Sequence, residues 1–187
     1  MTISSVLTVT GDATVDLNGH ILRFDQSAPA NSIFRVTSGG TLTLDDSAPT
    51  AAHTDAALPA GGLITGGRGY QYDGGGNGQH FYIHYGGGVY VEPDASFVLK
   101  GGTIYDCGVQ SGAYAAYGGG IYAEGGSVTI NGGAIRNCAV SGSPISSGGG
   151  IYLKYRDDGR ISFTMTSGVI AGCSAVNGGG ITASGAV

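Results

Sequence analysis

Charge is scarce in this chain. Only 11% of its 187 residues are charged, and 13 acidic against 8 basic residues leave a net charge of −5. Nothing basic clusters, which argues against a nucleic-acid partner, since phosphate binding needs a concentrated patch of Lys and Arg. Long apolar runs are missing too. No stretch approaches the roughly 18 residues of a membrane helix, so no membrane insertion is expected. The opening residues, MTISSVLTV, have neither a charged n-region nor an apolar h-region and do not read as a signal peptide. Met1 leads straight into a strand pattern, and the chain stops at GGGITASGAV, part way into a repeat. Both ends read as cut from a longer protein. Cysteine is sparse, and a count of three leaves one thiol unpaired under any pairing. The cysteines therefore do not settle the compartment.

Glycine, by contrast, is abundant, with 38 residues. Glycine is costly inside helices and strands, so scattered glycines would suggest a low-complexity linker. These are not scattered. GGGVY begins at Gly86, GGGIY at Gly118 and again at Gly148, and GGGIT at Gly178, in steps of 32, 30 and 30 residues. The first three are each followed by an alternating segment (SFVLKGG, SVTINGG, SFTMTSG) and then by TIYDC, AIRNC or VIAGC. A period in this range is the mark of a stacked repeat. Three short strand patterns per repeat, separated by glycine corners, describe a coil with three faces.

The expected fold is all-β, a right-handed, single-stranded parallel β-helix of about five coils with three short strands per coil. Residues 1–187 form one domain. Recurrence of the three-segment pattern argues against a β-sandwich, and handedness follows from the crossover rule for parallel strands. Alternation assigns inward pairs. In the second strand these are Phe97 and Leu99, Val128 and Ile130, Phe163 and Met165, with Leu42 and Leu44, Val15 and Leu17 before them. The third strand offers Ile21, Ile64, Ile104, Ile135 and Ile170. The first offers Val89 and Val91, Ile121 and Ala123, Ile151 and Leu153. Cys107, Cys138 and Cys173 share one slot in successive repeats and read as a buried ladder of free thiols.

Two motifs carry a family likeness. ATVDLNGHILRF (13–24) resembles the LDLNGHTL signature that opens many pectate-lyase-like β-helix domains. GGGIY…GGSVTINGGAIRNC resembles the repeats of large bacterial cell-surface proteins and adhesins, over nearly the whole chain. The resemblance implies an extracellular or cell-surface location and an adhesive or glycan-facing role. Related polysaccharide lyases and glycosidases carry clustered acids and bases on one outer face.

No catalytic residue is assigned. Glycosidases need two carboxylates a few ångströms apart. Glu92 and Glu124 fall on neighbouring rungs, but they read as a solvated corner and not as a catalytic pair. Asp157 and Asp158 lie in a polar insertion. Two candidate binding features stand out. One is the aromatic, glycine-rich insertion 66–85, with Tyr70, Tyr72, Tyr82, Tyr85, His80 and His84. Tyrosine faces beside amide edges suit sugars, although the same rings could cap a flank of the helix. His80 and His84 are four apart, but the glycine content argues against a helix that would align them as ligands, so no metal and no cofactor is expected. The other feature is a column: Tyr90, Tyr122 and Tyr152 each follow an inward residue and should face outward, as a stabilising ladder or as an exposed platform.

The function read from these features is a non-catalytic binding or structural module of a surface or secreted protein, meeting a glycan or a host or surface protein. A carbohydrate-active enzyme is one alternative. A self-assembling building block is another, because the open coil ends expose unpaired strand edges for end-to-end or edge association.

Overall fold

A computed structural model describes residues 1–109, 114–142, 144–156 and 160–185; Asp157 and Asp158 lie outside the described residues. The described residues form strands, turns and bends, with no helix among them. Five successive coils stack as a parallel β-solenoid. First strands are Leu7–Val9, Phe34–Val36, Val89–Val91, Ile121–Glu124 and Ile151–Lys154. Second and third strands are Asp12–Asp16 and Ile21–Phe24, Thr41–Asp45 and Leu63–Thr65, then Ser96–Leu99 and Thr103–Tyr105. In the last two coils they merge into continuous strands, Ser127–Arg136 and Ser162–Ala171. Thr2–Ile3 pairs with Arg23 and Phe24, and Ile181–Ser184 pairs with the fifth coil's first strand.

Register follows the repeat. Val89, Tyr90 and Val91 lie opposite Ile121, Tyr122 and Ala123, and Phe97 and Leu99 lie opposite Val128 and Ile130. Like therefore stacks on like, and the interior becomes three apolar columns. Phe34, Val36, Leu42, Leu44, Phe97, Leu99, Ile104 and Ile135 are buried within it. Each such side chain contributes roughly 1.5–3 kcal/mol on leaving water, which offsets the entropy of so many glycine corners.

The GGG triplet works one residue at a time. Gly118 has φ 68°, a conformation that glycine adopts at no steric cost. A Cβ on Gly119 would lie 2.3 Å from the Gly149 carbonyl oxygen of the next coil. A Cβ on Gly120 would meet Ile135 Cγ2 at 2.9 Å in the core. The first glycine turns the chain, the second lets two coils approach, and the third leaves room for the third-strand column.

The first coil departs from the expected alignment. Leu22, not Ile21, lies opposite Ile64, and Ala13 and Val15 lie opposite Leu42 and Leu44. Both Ile21 and Leu22 are apolar, so alternation alone could not choose between them. Leu17 lies just beyond the strand, yet it is buried in the same core, close to Gly62. At the other end Met165 is 39% exposed, because only Ile181–Ser184 continues the stack beyond the fifth coil.

The expected three faces are joined by a lateral arm. After each third strand in coils two to four the chain swings outward before returning at GGG. These excursions stack on one another: Tyr82–Tyr85, Ala115–Tyr117 and Ser146–Ser147 form parallel ladders, and Gly108–Val109 pairs with Ala139–Val140. Val109, Ala116 and Val140 make a small core of their own, with Ala175 beside it. The thiol ladder is present. Cys107, Cys138 and Cys173 are free, the first two buried and the third half-buried. Each thiol donates weakly to the preceding coil's third strand, to the carbonyls of Ile64 (3.8 Å), Ile104 (3.7 Å) and Ile135 (3.7 Å).

Candidate functional site

The insertion is not a loop. Tyr70–Asp73 and Tyr82–Tyr85 form an antiparallel hairpin, with Tyr70 opposite Tyr85 and Asp73 opposite Tyr82. Its second strand is the first rung of the lateral sheet, where Tyr85 lies opposite Tyr117. The hairpin therefore lies against the outer face of the first strands.

Tyr90, Tyr122 and Tyr152 do form one outward column, in register, with ring centroids 5.6 and 5.7 Å apart. They do not form an exposed platform. A second tier of tyrosines from the lateral sheet covers them. Tyr85 sits 4.5 Å from Tyr122 and 5.7 Å from Tyr90, Tyr117 sits 4.7 Å from Tyr152, and Tyr70 stacks on Tyr90 at 5.3 Å. Tyr122 is fully buried, Tyr152 is buried and Tyr90 is half-buried. Aromatic rings at these separations attract by more than their buried area alone. The two ladders clamp the arm to the solenoid. Tyr117 is the residue whose role the sequence reading missed. Its signal was available: YGGG occurs at Tyr85 and Tyr117, a full period apart, so both tyrosines must project alike.

The polar groups around this stack are paired. Arg35 Nε donates to Glu92 Oε1 at 2.6 Å, and its guanidinium lies 4.7 Å from the Tyr70 ring and 5.9 Å from the Tyr90 ring. Glu124 accepts from the Tyr122 hydroxyl (3.1 Å) and from Lys154 Nζ (2.8 Å). Glu92 and Glu124 thus each hold their own cation. Burial, and then the charge of Glu124, pushes the Tyr85 phenol up to about 12. The same two causes raise Tyr122 further, and burial followed by the charge of Glu92 raises Tyr90. Tyr85, Tyr90 and Tyr122 therefore stay protonated at neutral pH.

The exposed rings lie farther out along the hairpin. Tyr72, Phe81 and Tyr82 are 51%, 42% and 36% exposed, and Tyr114 on the neighbouring rung is 57% exposed. Phe81 meets Tyr114 edge-on at 5.5 Å, and His80 stacks on Tyr82 at 5.8 Å. His80 Nδ1 pairs with Asp73, and that bond holds the Asp73 carboxyl below the usual range. His84 turns to the Arg68 carbonyl at 3.4 Å, and burial lowers its pKa. The two imidazoles serve different partners. Among the described residues no three His, Cys, Asp or Glu side chains are placed to hold a metal ion.

One structural anchor carried no sequence signal. Asp46 is buried and accepts from the backbone N–H of Gly19 and of Gly62, both at 2.7 Å, which ties the long connection 46–62 to the first two coils. No family model matches this chain, and no curated protein and no solved structure matches it either.

Proposed function

We propose that the chain is a non-catalytic binding module of a surface or secreted protein, and that it contacts carbohydrate through the outer end of the hairpin. The observation that carries this reading is the exposure of four aromatic rings, Tyr72, Phe81, Tyr82 and Tyr114, at the outer end of the hairpin and the rung beside it, with Phe81 edge-on to Tyr114. Large aromatic groups rarely stay exposed together without a partner. Flat rings take the C–H faces of sugars, and each stacked ring contributes on the order of 1 kcal/mol. The Asp73 carboxylate at this end is held by His80 Nδ1. The covered tyrosines 90, 122 and 152 hold the projection in place rather than meeting the ligand.

The test is binding of the whole chain to a glycan array, followed by the triple variant Tyr72→Ser, Phe81→Ser, Tyr82→Ser. The variant should melt within about 6 °C of the parent, because each exposed substitution costs no more than about 0.5 kcal/mol. It should lose binding by at least about tenfold. A folded triple variant that keeps the parent's binding would remove the reading, as would release of a cleaved product from a bound glycan.

A further inference from the structure

The two open faces of the coil stack are complementary. The first-coil face carries a hollow of about 800 Å³, lined on its apolar side by Leu7, Val15, Leu17, Ile21, Leu22 and Phe34. On the last-coil face Met165, Val169 and Ile181 stand exposed. Apolar side chains gathered on one face mark a contact surface. Edge strands that must not pair are blunted by charge, above all lysine, or by proline. The edges Thr2–Ile3 and Leu7–Val9 on one face, and Ser162–Ala171 and Ile181–Ser184 on the other, carry neither. Residues 161–187 hold no Asp, Glu, Lys, Arg or His at all.

The unused backbone groups match as well. Along a strand, alternate residues turn their N–H and C=O to opposite neighbours. Leu7 N–H donates to the Ile33 carbonyl and the Val9 carbonyl accepts from Thr37, both within the stack, so Thr8 turns its own pair outward. At the opposite edge the carbonyls of Gly180 and Ser184 accept from Ile151 and Tyr155 within the stack, so Ile181 and Ala183 turn theirs outward. The first strands keep one register throughout, with Leu7, Phe34, Val89, Ile121, Ile151 and Ile181 in one column. Setting Leu7 of a second copy on Ile181 extends that column and lets Thr8 N–H donate to the Ile181 carbonyl. The same step sets Thr2 on Ala171, because Thr2 lies opposite Arg23 in the column that runs through Thr65, Tyr105 and Arg136 to Ala171. Two of the three sheets thus continue together. The second strands stay one rung apart at the joint, and there the facing edge is Asp12–Asp16, the one edge of the five that carries charge.

We propose that the chain stacks head to tail on a second copy of itself, the last-coil face of one copy against the first-coil face of the next. The contact repeats the one that already joins coil to coil within the chain. It is heterologous, so each added copy leaves one face of each kind free and the assembly grows as an open fibre. The joint is separate from the aromatic end of the hairpin and does not depend on the carbohydrate reading.

The experiment is sedimentation velocity of the whole chain from about 1 to about 100 µM, the range in which a micromolar contact fills. The parent should pass from monomer to dimer and on to longer species. Thr8→Pro removes an outward N–H, and Ile181→Lys sets a charge in the joint. Each should weaken association by at least about a hundredfold. Both positions are exposed, so the fold should persist, which circular dichroism checks; Thr8→Lys serves at the same place if the proline variant does not fold. A mixture of the Thr8 and Ile181 variants should form a dimer and nothing larger, since each keeps one intact face. A parent that stays monomeric at about 100 µM overturns the proposal. So does a variant that associates alone as the parent does, or a mixture that grows beyond the dimer. Loss of association in the Tyr72→Ser, Phe81→Ser, Tyr82→Ser variant would move the contact to the hairpin and overturn it equally.

Discussion

Replacing Tyr122 by alanine separates a buried clamp from an exposed platform. The side chain has no exposed surface and lies between Tyr90 and Tyr152 along its own sheet, beneath Tyr85 at 4.5 Å and Tyr117 at 6.5 Å. Removing a buried aromatic ring costs about 3–5 kcal/mol, because transfer energy and packing are lost together. The substitution also strips Glu124 of the hydroxyl that donates to it, although Lys154 still holds that carboxylate. In a domain of this size 1 kcal/mol moves the melting temperature by about 2–4 °C, so Tyr122→Ala should melt roughly 6–20 °C below the parent. The assay is thermal unfolding by far-ultraviolet circular dichroism, with tyrosine fluorescence as a second probe, since the chain has 11 tyrosines and no tryptophan. Limited proteolysis should cut the 66–85 hairpin sooner, because its anchor is gone. Were these rings an open strip, the change would cost no more than about 0.5 kcal/mol. A melting temperature within about 2 °C of the parent would refute the clamp.

Alkali should unfold the protein through the same stack. Tyr85 ionises near 10 when unfolded and near 12 when folded, so its contribution is fully present below pH 10 and is lost as pH rises through 12. A pH titration of ellipticity should fall in that window, and a flat profile to pH 12 would count against a buried tyrosine stack. The thiols should react in a set order. Cys173 is half-buried and its thiol is lowered to about 7 beside the Cys138 thiol, whose own pKa is raised by its neighbours Cys107 and Cys173 and by burial. Mass spectrometry after brief alkylation should find Cys173 modified first and Cys107 and Cys138 only after unfolding, with three free thiols in all. Early labelling of Cys138 would contradict the ladder.

Much of the architecture was already legible in the sequence because a solenoid ties space to sequence offset. A residue's neighbours in the stack lie about one period away, so Ile135 could be placed beneath Ile104 and beside Ile170 from spacing alone. The same logic placed Tyr90, Tyr122 and Tyr152 on one outward column and the three cysteines in one inward slot. It erred where the period carried no information. Ile21 and Leu22 are both apolar, and only the stacking register chose Leu22. Only the tertiary structure decided what covers the tyrosine column, because a column's outward direction is local while its burial depends on a segment that occurs once. Among the described residues the 66–85 hairpin has no counterpart in the other coils, and it is held back on the column by the ladder of Tyr85 with Tyr117 and by the contacts of Tyr70 and Tyr85 with Tyr90 and Tyr122.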